Sequence, residues 1–93
     1  MADTQQQQDR PREIIVSVAS DGRFSVNRMP VSSRDVQGLS QALAQVAQGM
    51  DGPTLIISAD AQASHQSMMM VMEAARRTGL NQLTFAAQAP SRD

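Results

Sequence analysis

The sequence predicts an α/β (α+β) fold: a two-layer sandwich with two helices packed on one face of a small mixed sheet, in the order β-β-α-β-α-β. Three observations carry this prediction. Residues 54–87 read strand, acidic corner, helix, glycine stop, strand, which is a βαβ unit with parallel strands and a right-handed crossover. Residues 14–26 read as two alternating strands around Ser20-Asp21-Gly22. The strands collect their aliphatic residues on one sheet face. The other face is small or polar apart from Ile15 and Ile56, so helices are expected to cover one face and not both.

Taken in order, Met1 to Arg12 is polar, with four consecutive Gln and a Pro at 11, and has no apolar periodicity to offset the entropy of ordering it. It is expected to be a disordered linker (1–12) ahead of a folded domain at 13–88. Ile14, Val16 and Val18 share one face of the first strand, and Ile15, Ser17 and Ala19 the other. The Asp21-Gly22 pair suits a hairpin turn, and Phe24 and Val26 continue the apolar face on the return strand. Asn27-Arg28-Met29-Pro30 turns again. Pro30 lacks an N–H for a ladder, which leaves Val31 at most an edge or extended residue.

Ser32 is the expected N-cap of the first helix, with Asp35 at its third position and Val31 and Val36 spaced for a hydrophobic staple. Val36, Leu39, Leu43, Val46 and Met50 follow helical spacing, with Ala42 and Ala47 alongside. Gly38 is costly in a helix, by about 1 kcal/mol against Ala, unless something packs closely there. Gly49 ends the helix, and Asp51-Gly52-Pro53 turns into the strand Thr54-Leu-Ile-Ile-Ser-Ala59. Leu55 and Ile57 are expected to face the same way as Val16 and Val18. Ser64 caps the second helix, which runs to Arg77 with Met68, Val71, Met72 and Ala75 on its core stripe. Gly79 sits at the left-handed position after it. In the last strand, Gln82 to Ala87, Leu83 and Phe85 are expected to face the core, with Thr84 and Ala86 opposite. Residues 89–93 form a polar tail.

One domain of 93 residues supports only a small core, and this one is nearly free of aromatics: two Phe, no Tyr, no Trp, with seven Met filling space instead. Dimerisation would help such a domain. The net charge of −1 and the lack of a basic patch exclude nucleic acid as a partner. No Cys is present, which excludes disulfides and thiolate metal sites but leaves the compartment open. The apolar runs fall far short of the ~20 residues a membrane helix needs.

The ordered combination Ile57-Ser-Ala-Asp60, Ser64-His-Gln-Ser67, Val71-Met-Glu-Ala-Ala75 and Gly79 resembles the periplasmic domain of the ExbD/TolR family, biopolymer transport proteins of the bacterial inner membrane. The likeness extends back to Ile14 and covers residues 14–88. Glu73 stands where the family usually has Asp, and His65 where many members have Tyr. The resemblance implies one N-terminal membrane helix carrying the proton-carrying Asp, so this chain is expected to be an excised soluble domain of a single-pass inner-membrane protein. It also implies a stator role: dimerisation, an ExbB/TolQ-type membrane partner, and engagement of a TonB/TolA-type energy transducer that uses the proton motive force for transport across the outer membrane. The Ala-Asp corner and the Val-Met-Glu helix lean towards the ExbD branch. The TolR branch would instead imply peptidoglycan binding for envelope integrity. A soluble adaptor that binds a peptide by edge-strand addition is the alternative outside the stator role.

Asp60 is the first polar residue after a central strand, where α/β folds favour ligands, yet an Asp there also serves simply to bond the N–H groups of a turn. His65 opens the second helix. As the sole His it cannot build a multi-His metal site, and with Asp60 and Ser67 it lacks the oxyanion arrangement a small hydrolase would need. No catalytic residue, cofactor or metal is therefore expected. Met69 lies on the helix flank and could offer an adaptable contact, so Asp60, His65 and Met69 are read as a partner surface. Glu73 and Arg77 are spaced as an i, i+4 pair. If the last strand is at a sheet edge, Leu83, Thr84, Phe85 and Ala86 offer unpaired backbone groups to a second copy or an extended peptide.

Overall fold

The computed structural model describes residues 12–87. The rest of the expected linker and the tail lie outside the described residues. The elements are β1 (Glu13–Val18), β2 (Phe24–Val26), β3 (Met29–Pro30), α1 (Val36–Ala47), β4 (Thr54–Ala59), α2 (His65–Arg77) and β5 (Leu83–Ala87). The sheet runs β3-β2-β1-β4-β5, with β1/β2 and β2/β3 antiparallel and β1/β4 and β4/β5 parallel. It is the mixed sheet and two-helix layer that the sequence predicts, with one addition.

That addition is β3, a two-residue strand where a bare turn was expected. Asn27 and Arg28 both take positive φ, 50° and 74°, as a two-residue hairpin turn of the tight primed type requires. Met29 and Pro30 then fold back along β2, with Val26 opposite Met29. Pro30 is tolerated because β3 is an edge. Asn27 also extends the β1/β2 pairing: its side-chain Oδ1 accepts from Ile15 N at 2.9 Å, and its own N donates to Ile15 O at 2.8 Å. At the other end of that hairpin the Ala19–Arg23 turn is closed by Ala19 N to Arg23 O at 2.9 Å and by Asp21 Oδ1 accepting from Arg23 N at 3.2 Å.

The parallel register sets the core. Ile14 lies beside Leu55 and Val16 beside Ile57, so four aliphatic side chains leave the same sheet face. With Val18, Phe24 and Val26 they meet Leu39 and Leu43 of α1 and Val71, Ala74 and Ala75 of α2. Among the described residues the opposite sheet face has no helical layer: Ile15 is 42% exposed there.

Both helices stop and start on identifiable groups, one of them not the expected one. The first helix is capped by Asp35 and not Ser32: Asp35 Oδ1 accepts from Gly38 N at 2.9 Å. Val31 explains the shift. Its N donates to Phe24 O at 2.9 Å, which pins it to the sheet, so residues 32–34 are spent crossing to the helix layer. With the helix starting at Val36, the expected staple between Val31 and Val36 has no place, although both side chains pack against the core. The second helix follows expectation. Ser64 Oγ accepts from Ser67 N at 3.0 Å. At its end Gly79 N donates to Arg76 O at 3.2 Å and Leu80 N to Ala75 O at 2.9 Å, the paired bonds of a Schellman cap. Gly79 takes φ +76°, which disfavours any residue with a Cβ, and the buried Leu80 supplies the cap's hydrophobic contact.

Gly38 has a packing reason. A Cβ there would lie 2.7 Å from Ser33 Cβ and 3.1 Å from the capping Asp35 Oδ1. Glycine lets the crossing segment lie against the helix without disturbing its cap. Gly38→Ala therefore brings a helix-propensity gain of about 1 kcal/mol into conflict with an overpacking cost of about 1–3 kcal/mol and a strained cap. The expected result is a net loss of about 1 kcal/mol in urea unfolding. A gain in stability would show that Ser33 moves aside freely.

Candidate partner-binding edge

Among the described residues β5 is an edge strand. Gln82 O accepts from Leu55 N at 2.8 Å, so by the alternation of a parallel ladder Leu83 and Phe85 turn their N–H and C=O groups outward, away from β4. No charge or proline protects the five residues from Leu83 to Ala87.

Phe85 is the main departure from the predicted core. It pairs with buried Ile57 and so leaves the helix-side face as expected, yet it is 53% exposed. α2 packs over β1 and β4 and does not reach β5, so the face direction is right and the cover is missing. Leu83, one pleat earlier, is partly buried against the core. Thr84 and Ala86 lie on the uncovered sheet face, both exposed.

The helix layer adds to this strip. Met72, predicted for the core, is 39% exposed, and Met69 is 50% exposed. Ala74 fills the buried place instead, because the stripe facing the sheet is Ser67, Val71, Ala74 and Ala75. Met69 and Met72 form one wall of a groove of about 450 Å³ between α2 and β5, floored by Ala75, Leu80 and Leu83 and rimmed by Glu73 and Arg76. Met69 was anticipated as a contact residue and Met72 was not. The one-position rotation of the stripe is too fine to read from a run of three methionines.

The rim is an ion cluster larger than the predicted pair. Arg76 Nη2 donates to Glu73 Oε2 at 2.7 Å and Arg76 Nε to Oε1 at 3.2 Å, a bidentate fork, while Arg77 Nε reaches Oε2 at 3.1 Å. These hydrogen bonds, from Arg76 first and then Arg77, hold the Glu73 carboxyl below its ordinary value.

Asp60 and His65 are not joined to this edge. Asp60 Oδ1 accepts from Gln62 N at 2.8 Å, the turn-forming role. It also borders a hollow with Arg23 and Val31 at the far end of β1. His65 is exposed in the first turn of α2. Ser67 is buried, with its Oγ taken up by Ser64 Oγ at 3.0 Å, and among the described residues no hydrogen bond links Asp60, His65 and Ser67. No helix among the described residues is long and apolar enough to cross a membrane.

Two outcomes test this description. Leu55→Ala, in the sealed core, is expected to cost about 2–5 kcal/mol, whereas Phe85→Ser should cost well under about 1 kcal/mol, as surface changes do. A large loss at Phe85 in dilute, monomeric protein would place it in the core after all. Glu73 gives a pH outcome. Its carboxyl is depressed on folding, so its stabilising contribution is present above about 4.5, the ordinary value, and is lost as pH falls through the folded midpoint. Carbon-detected titration should place that midpoint below 4.5 in the native protein and move it upward in Arg76→Ala.

A family model for the biopolymer transport protein ExbD/TolR matches residues 1–89, nearly the whole chain. Comparison with curated proteins gave no match. Of the groups that carry the resemblance, the Ala59-Asp60 corner, the Ser64 cap and the Gly79 stop fall at element ends, and Val71, Ala74 and Ala75 lie on the buried stripe, while Met72 and Glu73 line the groove. The chain belongs to the ExbD/TolR family of biopolymer transport proteins.

Proposed function

We propose that this chain is the periplasmic domain of a proton-motive-force-coupled stator subunit, without enzymatic activity of its own, that dimerises and engages a TonB/TolA-type energy transducer through β5. Family membership supports a part in biopolymer transport. The observation that carries the finer reading is the unprotected β5 edge beside exposed Phe85, Met69 and Met72. Strand addition needs outward backbone groups for affinity and a neighbouring apolar strip for side chains, and this edge has both. The opposite edge is poorer: β3 has two residues, one of them a proline.

In this reading an ExbB/TolQ-type partner is engaged by the membrane part of the protein, and the described domain transmits or senses load outside the membrane. None of its acidic groups serves as the proton carrier. Asp60 bonds its own turn, and Glu73 is fixed by two arginines. The ExbD branch is favoured over the peptidoglycan-binding TolR branch by the same Ala-Asp corner and Val-Met-Glu helix.

Sedimentation equilibrium of the 93-residue chain is expected to show a reversible monomer–dimer exchange. Phe85→Lys, which places a charge on the open edge, should weaken it at least about tenfold, or roughly 1.4 kcal/mol, while leaving the circular dichroism unchanged. A peptide spanning the periplasmic end of a TonB/TolA-type transducer should broaden amide signals of residues 83–87 first. A strictly monomeric chain at millimolar concentration that also leaves these amides undisturbed by the peptide would refute the edge as the working surface.

A further inference from the structure

We propose that the exposed stripe His65, Met69 and Met72 of α2 is a binding site for a soft monovalent metal ion, Cu(I) or Ag(I), held by one imidazole nitrogen and two thioether sulfurs.

Spacing comes first. Positions i, i+4 and i+7 of a helix with 3.6 residues per turn fall within an arc of roughly 60°; the successive pairs His65–Met69 and Met69–Met72 have Cβ atoms about 5–6 Å apart, and the outer pair lies roughly 10 Å apart along the axis, with Met69 between them. Long, freely rotating methionine side chains span that gap to a shared ion. Exposure comes second. Met69 and Met72 are 50% and 39% exposed and line the same groove, and His65, one turn before Met69, is exposed just outside that lining. Donor chemistry comes third. Neutral thioethers with an imidazole suit soft monovalent ions and bind hard or borderline divalent ions poorly. Among the described residues no trio of His, Cys, Asp or Glu is placed for a metal, so a divalent ion finds no better seat. A sequence reading that weighs only imidazole, thiolate and carboxylate clusters passes over such a site. The one cation on the same stripe, Arg76, is held by both oxygens of Glu73. Because two methionine side chains must be ordered on binding, the affinity expected is roughly micromolar and not tighter.

The domain contains its own control. Met29 is 67% exposed on β3 but stands apart from this stripe, so it reports what a solitary thioether does. The experiment is a titration of the 93-residue chain, labelled at its methionine methyl groups, with silver nitrate in chloride-free buffer. The Met69 and Met72 methyls and the His65 ring are expected to shift together and saturate at one equivalent, while Met29 stays fixed over the same range. Met69→Leu with Met72→Leu should lower the affinity at least a hundredfold, and His65→Gln about tenfold, with the amide spectrum otherwise native. Met29 shifting over the same silver range, or wild-type affinity in the double variant, would overturn the proposal. The titration is run on dilute, monomeric protein without peptide, so its outcome stands apart from that of the docking edge.

Discussion

The parallel pairing of β1 with β4 is the constraint on which the rest of the structure depends. It joins residues about 40 positions apart, and its register alone decides which side chains are sealed. Ile14 beside Leu55 and Val16 beside Ile57 puts the aliphatic row towards the helices and leaves Ile15 and Ile56 on the other face. A slip of one residue would reverse every side chain of one strand and set Ile15 or Ile56 against the helices in place of two core residues. The turns around β1 protect this register. Asn27 clasps both backbone groups of Ile15, and Thr54 N donates to Arg12 O at 2.9 Å, so β1 is tied just before its first residue on the β4 side and at its third residue on the β2 side.

Once the register is fixed, the edge follows from a mismatch of widths. Two helices of 12 and 13 residues, lying side by side, cover β1, β2 and β4, and β5 is left covered only at Leu83. The two edges of the sheet are treated differently. β3 is short, ends in proline and follows a turn with two residues of positive φ, all of which discourage a further strand. β5 has five residues, an outward-facing backbone and an uncovered Phe85. A domain poor in aromatics that leaves one of its two phenylalanines half in water has withheld apolar area that folding alone could have used, at about 25 cal/mol per Å². Such area is recovered on association, which is what a strand-addition surface needs.

Much of this was readable from residues whose meaning is local. Ser64 and Gly79 bound α2 because a hydroxyl accepts from a helix N-terminus and a glycine takes the left-handed turn at its end, and neither depends on the rest of the chain. The face directions of β1 and β4 were readable for the same reason, since alternation is a property of the strand. What was not readable depended on neighbours. The cap moved from Ser32 to Asp35 because Val31 is bonded across to Phe24, a contact made by tertiary position. Phe85 has the predicted direction and not the predicted burial, because alternation says which way a side chain points and nothing about what lies above it. Family resemblance fixed the kind of protein, but the open position of β5 came only from the order of strands.

The methionines of α2 bring these points together. A run of three consecutive methionines around a helix must send at least one outward, since successive residues are rotated by roughly 100°. Met68 and Met70 pack against the core and Met69 does not; three positions on, Met72 follows Met69 outward. An exposed leucine pair at these positions would supply the same apolar wall with a fixed shape. Methionine supplies a wall that reshapes to its occupant and carries sulfur lone pairs. The groove is therefore apolar to a peptide side chain and coordinating to a soft ion. Because both uses draw on the same two side chains, occupation by an ion would pull Met69 and Met72 out of the wall and compete with anything docked against β5.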